Sequence, residues 1–182
     1  SLVLRQWMEE SKNAVVFTGA GMSTDSGIPD FRSPGGVWTR MAPIMFEDFL
    51  ASEDNRIEAW RRKFAMDDEI GAVSPNAGHM AIAKLVELGK VSAVITQNID
   101  NLHQNSGVAA EKIIELHGNS TYAKCLDCDL RHELADVRAA FFVSQQSQAP
   151  GCQNCGGIVK TATISFGQAM PERQMREAEA AT

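Results

Sequence analysis

No excess of basic charge marks this sequence: 17 Lys and Arg stand against 23 Asp and Glu, a net charge of -6. A binder of phosphate backbones needs a basic face, so no direct nucleic-acid binding is expected. Long apolar runs are missing too. The longest are of about five residues, such as 139–143, where ~20 are needed to span a bilayer. No charged stretch followed by an apolar one opens the chain, so neither a membrane partner nor a secretory leader is expected, and a cytoplasmic location is. Aromatics are sparse at 7%, yet 44% of the 182 residues are hydrophobic and 22% charged, which suits one folded domain or one with a small insert. There is no internal repeat and no low-complexity tract. The chain starts at Ser1 and stops at Thr182 inside an expected helix from Pro171, so a piece of a longer chain is expected.

No cysteine is left unpaired in the pattern. The four fall into two C-x-x-C pairs, Cys125 with Cys128 and Cys152 with Cys155. Two such knuckles bring four thiolates to one tetrahedral point, which suits zinc. The spacer is slightly longer than in common ribbons, but a helix can sit within it. Gly156 and Gly157 permit the turn after the second pair. Two disulfides or a redox dithiol are the rival readings; the first needs an oxidising compartment and the second leaves one pair idle. Four thiolates leave no open position, so one structural zinc ion is expected.

Leu2 to Glu10 reads as an amphipathic helix with Leu4, Trp7 and Met8 as core candidates. Ala14 to Phe17, Val91 to Thr96 and Ile113 to Leu116 read as buried strands from their length and β-branched content. Between the first two, Ser74 and Pro75 suit the start of a helix and Gly89 its end, with Met80, Ile82, Ala83, Leu85 and Val86 on its apolar face. Strand, helix, strand alternation argues for a parallel α/β sheet. Phe46 to Met66 reads as one or two helices, and Trp60-Arg61-Arg62-Lys63 within it as a solvated face. Residues 123–157 look like an insert. Ile158 to Phe166 returns to an extended pattern that Gly167 breaks. The expected architecture is therefore α/β: a Rossmann-like parallel sheet in 1–40, 74–122 and 159–182, a helical module in 41–73 and a small zinc-ribbon module in 123–158.

Four segments carry chemistry. Gly19-Ala20-Gly21-Met22-Ser23 follows a strand, where glycines let backbone amides approach a phosphate at a helix N-terminus. Thr24 breaks the usual dinucleotide fingerprint, so the loop alone reads more readily as an ordinary tight turn than as a phosphate site. Ser26-Gly27-Ile28-Pro29-Asp30-Phe31-Arg32-Ser33 places a carboxylate, an aromatic ring and a guanidinium on a glycine-flanked loop, either a ligand cover or a surface turn. Thr96-Gln97-Asn98-Ile99-Asp100-Asn101-Leu102-His103 leaves a strand at its carboxyl end, where parallel sheets bind ligands; its Asn98 or Asp100 could instead cap a helix. His117-Gly118-Asn119 leaves the third strand at the same kind of edge, and an imidazole, ordinarily near pKa 6.5, suits a general base. His79 and His132 have no comparable setting.

These segments in this order, with the paired knuckles and Phe166-Gly167, resemble the sirtuin family of NAD-dependent protein deacylases. The resemblance implies a Rossmann-like domain, a zinc-bearing small module and NAD as a consumed co-substrate. It implies that Gly19, Ala20, Gly21 and Ser23 lie along the phosphates and ribose, and that Ile28, Pro29 and Asp30 meet the nicotinamide carboxamide. Phe31 would cover the reactive face, with Arg32 beside it. Gln97, Asn98, Ile99 and Asp100 would position the ribose and a water. His117 would be the base that deprotonates a ribose hydroxyl, with Asn98 and Asp100 as catalytic partners. Phe166 and Gly167 would meet the acyl-lysine protein or peptide substrate. The acyl oxygen attacks C1′, nicotinamide leaves, and O-acyl-ADP-ribose and free lysine result.

The sequence departs from the family pattern in places. The later Gly-Thr-Ser and Asn segments that hold the adenosine half of NAD do not occur before Thr182, and an open sheet cut there is expected to be poorly soluble. Gln168 stands for an acidic residue and Thr161 for Pro, near the substrate-pairing segment. Lys63 and Met66 stand where relatives that prefer acidic acyl groups carry Tyr and Arg, and Val37-Trp38-Thr39 leaves a long-chain preference open. A protein mono-ADP-ribosyltransferase using the same NAD site is the alternative activity. A non-catalytic NAD or ADP-ribose sensor is the alternative of another class, disfavoured by the joint presence of Asn98, Asp100 and His117.

Overall fold

A computed structural model describes residues 2–11, 13–29, 31 and 36–182, with all their side chains except those of Leu2, Leu4, Trp38 and Arg40. In chain order the elements are α1 (Leu2–Glu10), β1 (Ala14–Thr18), α2 (Val37–Arg40), α3 (Phe46–Ala51), α4 (Glu53–Ile70), α5 (Ala77–Glu87), β2 (Val91–Thr96), α6 (Leu102–Asn105), β3 (Ile113–Glu115), β4 (Gly118–Cys125), β5 (Arg131–Glu133), α7 (Leu134–Val143), β6 (Val159–Thr163) and α8 (Glu172–Ala181). They divide into two units. The first comprises Ser1–Asp30, Val73–His117 and Met170–Thr182; the second comprises Phe31–Ala72 and Gly118–Ala169.

The first unit is built on a parallel sheet in the order β1-β2-β3. Its register sets Thr18 beside Thr96 and Thr96 beside Glu115, so all three carboxyl ends meet at one edge. Strand β2, Val-Ser-Ala-Val-Ile-Thr, is buried at every position but Ser92, as expected for a central parallel strand covered on both faces. Val91, Val94 and Val108 pack with Met8, Ile82, Leu85 and Val86 of α1 and α5. Ala93, Ile95, Ile114 and Leu116 pack with Ala178 and Ala181 of α8. Helices on both faces of a parallel sheet give the Rossmann-like arrangement.

Several local expectations are corrected. Trp7 is 66% exposed and Met80 54%, so each lies on the wet side of its helix. The Leu4 side chain lies outside the described ones. Helix α5 starts two residues after Pro75, because Asn76 is the stronger cap. Its side chain accepts from the amides of Gly78 and His79, and the His79 ring accepts from the Asn76 amide in return. At the far end Gly89, at φ 67°, and Lys90 return hydrogen bonds to Val86 and Leu85, the left-handed stop expected of that glycine.

In the second unit β5, β4 and β6 form an antiparallel sheet in that order. The 46–66 segment makes two helices, because Ser52 leaves the helical region and caps α4 through the Asn55 amide. Trp60 is not part of a solvated face. It is 2% exposed and stacks 5.5 Å from Phe64, in a core with Ala123, Val137, Phe141 and Val159. Of its neighbours only Arg61 is exposed: Arg61 and the half-buried Arg62 pair with Glu58, and Lys63, its side chain 16% exposed, pairs with Asp67. Helix α7 occupies the spacer between the cysteine pairs.

Gly118 opens β4 at φ 74°, and a Cβ there would lie 2.0 Å from the Ala162 carbonyl oxygen of β6. Positive φ and a backbone clash combine, so Gly118→Ala is expected to cost about 3 kcal/mol or more. Urea denaturation checks this: the midpoint falls while the slope holds.

Candidate active site and metal centre

The parallel register brings three of the sequence-predicted segments to the carboxyl edge of the first unit. Their backbones continue the ladder: the Gln97 amide donates to the Thr18 carbonyl at 3.0 Å and the Leu116 amide to the Thr96 carbonyl at 2.9 Å. Beyond this edge the Ser23 hydroxyl donates to Asp100 Oδ2 at 2.6 Å, and Asn98 Nδ2 donates to Ser23 Oγ at 3.1 Å. Ser23 is buried, so these bonds fix its rotamer. Asp100 serves two ends at once, since its Oδ1 accepts from the Leu102 amide, the first of α6, at 2.9 Å.

His117 Nδ1 lies 3.0 Å from the Gln97 carbonyl oxygen. A carbonyl only accepts, so Nδ1 carries the hydrogen. In the neutral ring the lone pair therefore sits on Nε2, the tautomer a general base needs.

The glycine loop differs from its expectation. It makes two short 3-10 turns, Ala20–Met22 and Thr24–Ser26, and no α-helix begins there, so no helix dipole supports an anion. The room remains: a Cβ on Gly21 would touch nothing within 4 Å. Asn76 Nδ2 anchors the loop by donating to the Met22 carbonyl and to Ser26 Oγ. The Ile28 amide returns to the Ser23 carbonyl at 3.3 Å, and Pro29 is exposed. Phe31, assigned to the second unit, is half-buried, as are Gln97 and Ile99. Asp30, Arg32 and Ser33 lie outside the described residues.

Sequence reasoning missed the layer beneath. Asn98 donates its amide to Thr96 Oγ1, Thr18 Oγ1 donates to the same oxygen, and His103 Nε2 lies 2.9 Å from Thr18 Oγ1. His103 and His79 are both buried with rings 5.0 Å apart. The signal for His79 was its place three residues after Asn76, a capping-box spacing. Burial lowers the pKa of both rings; the charge of His79 lowers His103 further, and Asp100 partly opposes both shifts. Unfolded rings take protons near pH 6.5, folded rings only at lower pH. The unfolded chain then binds more protons in that interval, so stability is complete above about pH 6.5 and falls as pH drops below it. Melting temperatures between pH 5 and 8 check the sign, and a His79→Gln variant flattens the slope.

In the second unit the four cysteine sulfurs lie within 4.8 Å of one another. Cys125 to Cys155 is 3.5 Å, Cys128 to Cys155 3.5 Å and Cys128 to Cys152 3.7 Å. A tetrahedron with Zn–S bonds of ~2.3 Å has edges of about 3.8 Å, so the cluster fits one zinc ion. The Asp127 amide donates to Cys125 Sγ and Asn154 Nδ2 to Cys128 Sγ, the contacts thiolates favour. Without a cation the thiols compete. The Gly157 amide pulls Cys155 down, but the Cys125 and Cys128 sulfurs push it up to about 12, while the Leu130 amide and Cys155 bring Cys128 down to about 7.

The Phe166 carbonyl accepts from the Phe46 amide, and Gly167 turns the chain at φ 80°. Gln168 closes that turn, its Oε1 accepting from the Ser165 amide and its own amide donating to the Ser165 carbonyl. Among the described residues no helix is long and apolar enough to cross a membrane.

A family model described as the Sir2 family matches residues 19–182. The NAD-dependent protein deacetylase 1 of Bradyrhizobium diazoefficiens is 56% identical over 177 residues, taking in 97% of this chain and 68% of that protein. A structure of a Sir2 His-to-Ala variant with a deacetylated p53 peptide and 3′-O-acetyl ADP-ribose is 34% identical with TM-score 0.81, covering 99% of this chain and 71% of that one. A structure of Sir2 with a p53 peptide and NAD+ is 34% identical with TM-score 0.80, covering 98% and 70%. The chain is thus a member of the Sir2 family.

Proposed function

We propose that this protein is an NAD-dependent protein-lysine deacylase, a reading carried above all by the tautomer of His117. NAD supplies the reaction with a ribose carbon from which nicotinamide departs as the acyl oxygen of a modified lysine adds. His117 accepts the ribose hydroxyl proton on Nε2, and the Gln97 carbonyl steadies the charge that forms on the ring through Nδ1. Ser23, Asn98 and Asp100 are locked to one another before substrate arrives, so they orient the ribose and a water at little entropic cost. The open flank of Gly21, with Gly19 and Ala20, admits the phosphates. Ile28, Pro29 and Asp30 hold the carboxamide, Phe31 keeps water off the reacting carbon, and Arg32 lies beside them. Phe166 and Gly167 meet the acyl-lysine peptide.

Zinc held by Cys125, Cys128, Cys152 and Cys155 has a structural role, because four thiolates leave no position for substrate. Four reduced thiols also favour a cytoplasmic location.

The test is mass spectrometry of the full chain with NAD and a panel of acyl-lysine peptides. O-acyl-ADP-ribose with release of nicotinamide is the expected product. ADP-ribose attached to protein would replace the deacylase with a transferase, and untouched NAD would replace it with a binding module.

A further inference from the structure

The glycine loop is held from outside by one asparagine. Residues 19–28 build no α-helix, and 3-10 turns have poorer hydrogen-bond geometry than an α-helix, so the loop does not fix its own shape. Two tethers reach it from elsewhere in the first unit. One is the bonding of Ser23 to Asp100 and Asn98. The other is Asn76, 54 positions from Met22 and 50 from Ser26. Its side chain is fully used. Oδ1 accepts from the Gly78 amide at 2.9 Å and the His79 amide at 3.3 Å, while Nδ2 donates to the Met22 carbonyl at 2.8 Å and to Ser26 Oγ at 3.1 Å. Backbone amides only donate and the Met22 carbonyl only accepts, so the side-chain amide has one orientation.

Asn76 is itself held. Its backbone amide donates to His79 Nδ1, and the His79 ring is buried against His103. Met22 adds an apolar contact: its Cε lies 2.8 Å from where a Cβ on Gly78 would sit, so the first turn of α5 receives the Met22 side chain on a bare glycine. Met22 stands between Gly21 and Ser23. A shift of its carbonyl therefore moves both the open flank of Gly21 and the Ser23 hydroxyl.

We propose that Asn76 is a positioning residue for the nucleotide, an inference that rests on the deacylase reading for the ligand and on the hydrogen bonds alone for the tether. Nδ2 sets the shape of the 19–28 loop before the nucleotide arrives. A loop already ordered loses less conformational freedom on binding, so the tether acts on affinity more than on the chemical step.

Asn76→Asp separates the two duties of the side chain. Asp caps a helix as well as Asn does, but its second oxygen has no hydrogen to give Met22 or Ser26. Asn76→Ser caps as well, adds no charge, and gives up the same tether. Amide hydrogen exchange of the full chain without ligand is the first readout. The Met22, Ser26, Gly27 and Ile28 amides, all bonded within the loop, are expected to exchange at least tenfold faster in both variants, while those of α5 hold. Calorimetric titration with ADP-ribose is the second, with Kd expected to rise at least tenfold in both. In turnover, KM for NAD should rise by a similar factor while kcat at saturating NAD changes less than threefold. If Asn76→Asp does not fold, Asn76→Ser decides. Unchanged loop exchange in a folded variant, or ADP-ribose affinity equal to that of the unaltered protein, would leave Asn76 a helix cap alone and overturn the proposal. An unaltered chain that fails to bind ADP-ribose would overturn the NAD reading instead, and the ligand-free exchange would still decide the tether.

Discussion

Replacing His117 with Ala is expected to abolish acyl transfer to ADP-ribose while leaving the fold intact. The ring belongs to no buried core: it is half-buried just past the end of β3 and, among the described residues, makes one hydrogen bond, to the Gln97 carbonyl. Water replaces that donor in the variant, so little stability is at stake. The chemical loss is larger. A positioned base contributes typically ~10²–10⁴-fold, and no described residue of the first unit offers a second imidazole at this edge, since His79 and His103 are buried. Product formation followed by mass spectrometry, with circular dichroism on the same sample, reads both effects. A His117→Ala protein that forms O-acyl-ADP-ribose within threefold of the unaltered rate would remove His117 from the role of base.

Loss of the metal site carries the largest stability effect. Cys152→Ser, or a strong chelator, is expected to release zinc and melt the second unit. Cys125 and Cys152 are buried in the same core as Trp60, Phe141 and Val159, so the metal and the apolar core are one structure. Structural zinc sites contribute on the order of 10 kcal/mol in small zinc modules at pH 7, comparable with the whole stability margin of about 5–15 kcal/mol of an ordinary domain. Zinc content by elemental analysis and melting temperature should fall together in the variant. Full zinc content with an unchanged melting temperature would return the cysteines to a redox or idle role.

The parts of the fold that were legible came from strong local signals. Ala14–Thr18 and Val91–Thr96 are short, β-branched and bounded by polar turns, so their pairing as parallel strands was readable, but burial was legible only for Val91–Thr96: in the edge strand Ala14–Thr18 only Thr18 is buried and Phe17 is 59% exposed. The two cysteine pairs announced their cluster by spacing alone. Signals failed where two local cues competed. Ser74 and Pro75 made a plausible helix start, but Asn76 with His79 makes two reciprocal bonds and wins. Trp60 sat beside three cations and read as surface, although helical spacing turns it towards Phe64 and the core. The Thr18, Thr96 and His103 layer was invisible for another reason. These residues meet only because β1 and β2 align in one register, which no local pattern states.

The division of the first unit into three stretches of chain has a consequence for its birth on the ribosome. Thr18 and Thr96 are neighbours in the sheet but 78 positions apart. Closing a flexible loop of that length costs about 4 kcal/mol, and at ~5–20 residues per second β1 waits roughly 4–16 s for its partner to be made. The face formed by Ala93, Ile95, Ile114 and Leu116 waits longer still, because α8, which covers it, comes later in the chain than β2 or β3. A nascent chain therefore displays an unpaired strand and then an uncovered apolar face for seconds each, and chaperones have their longest opportunity to engage it there.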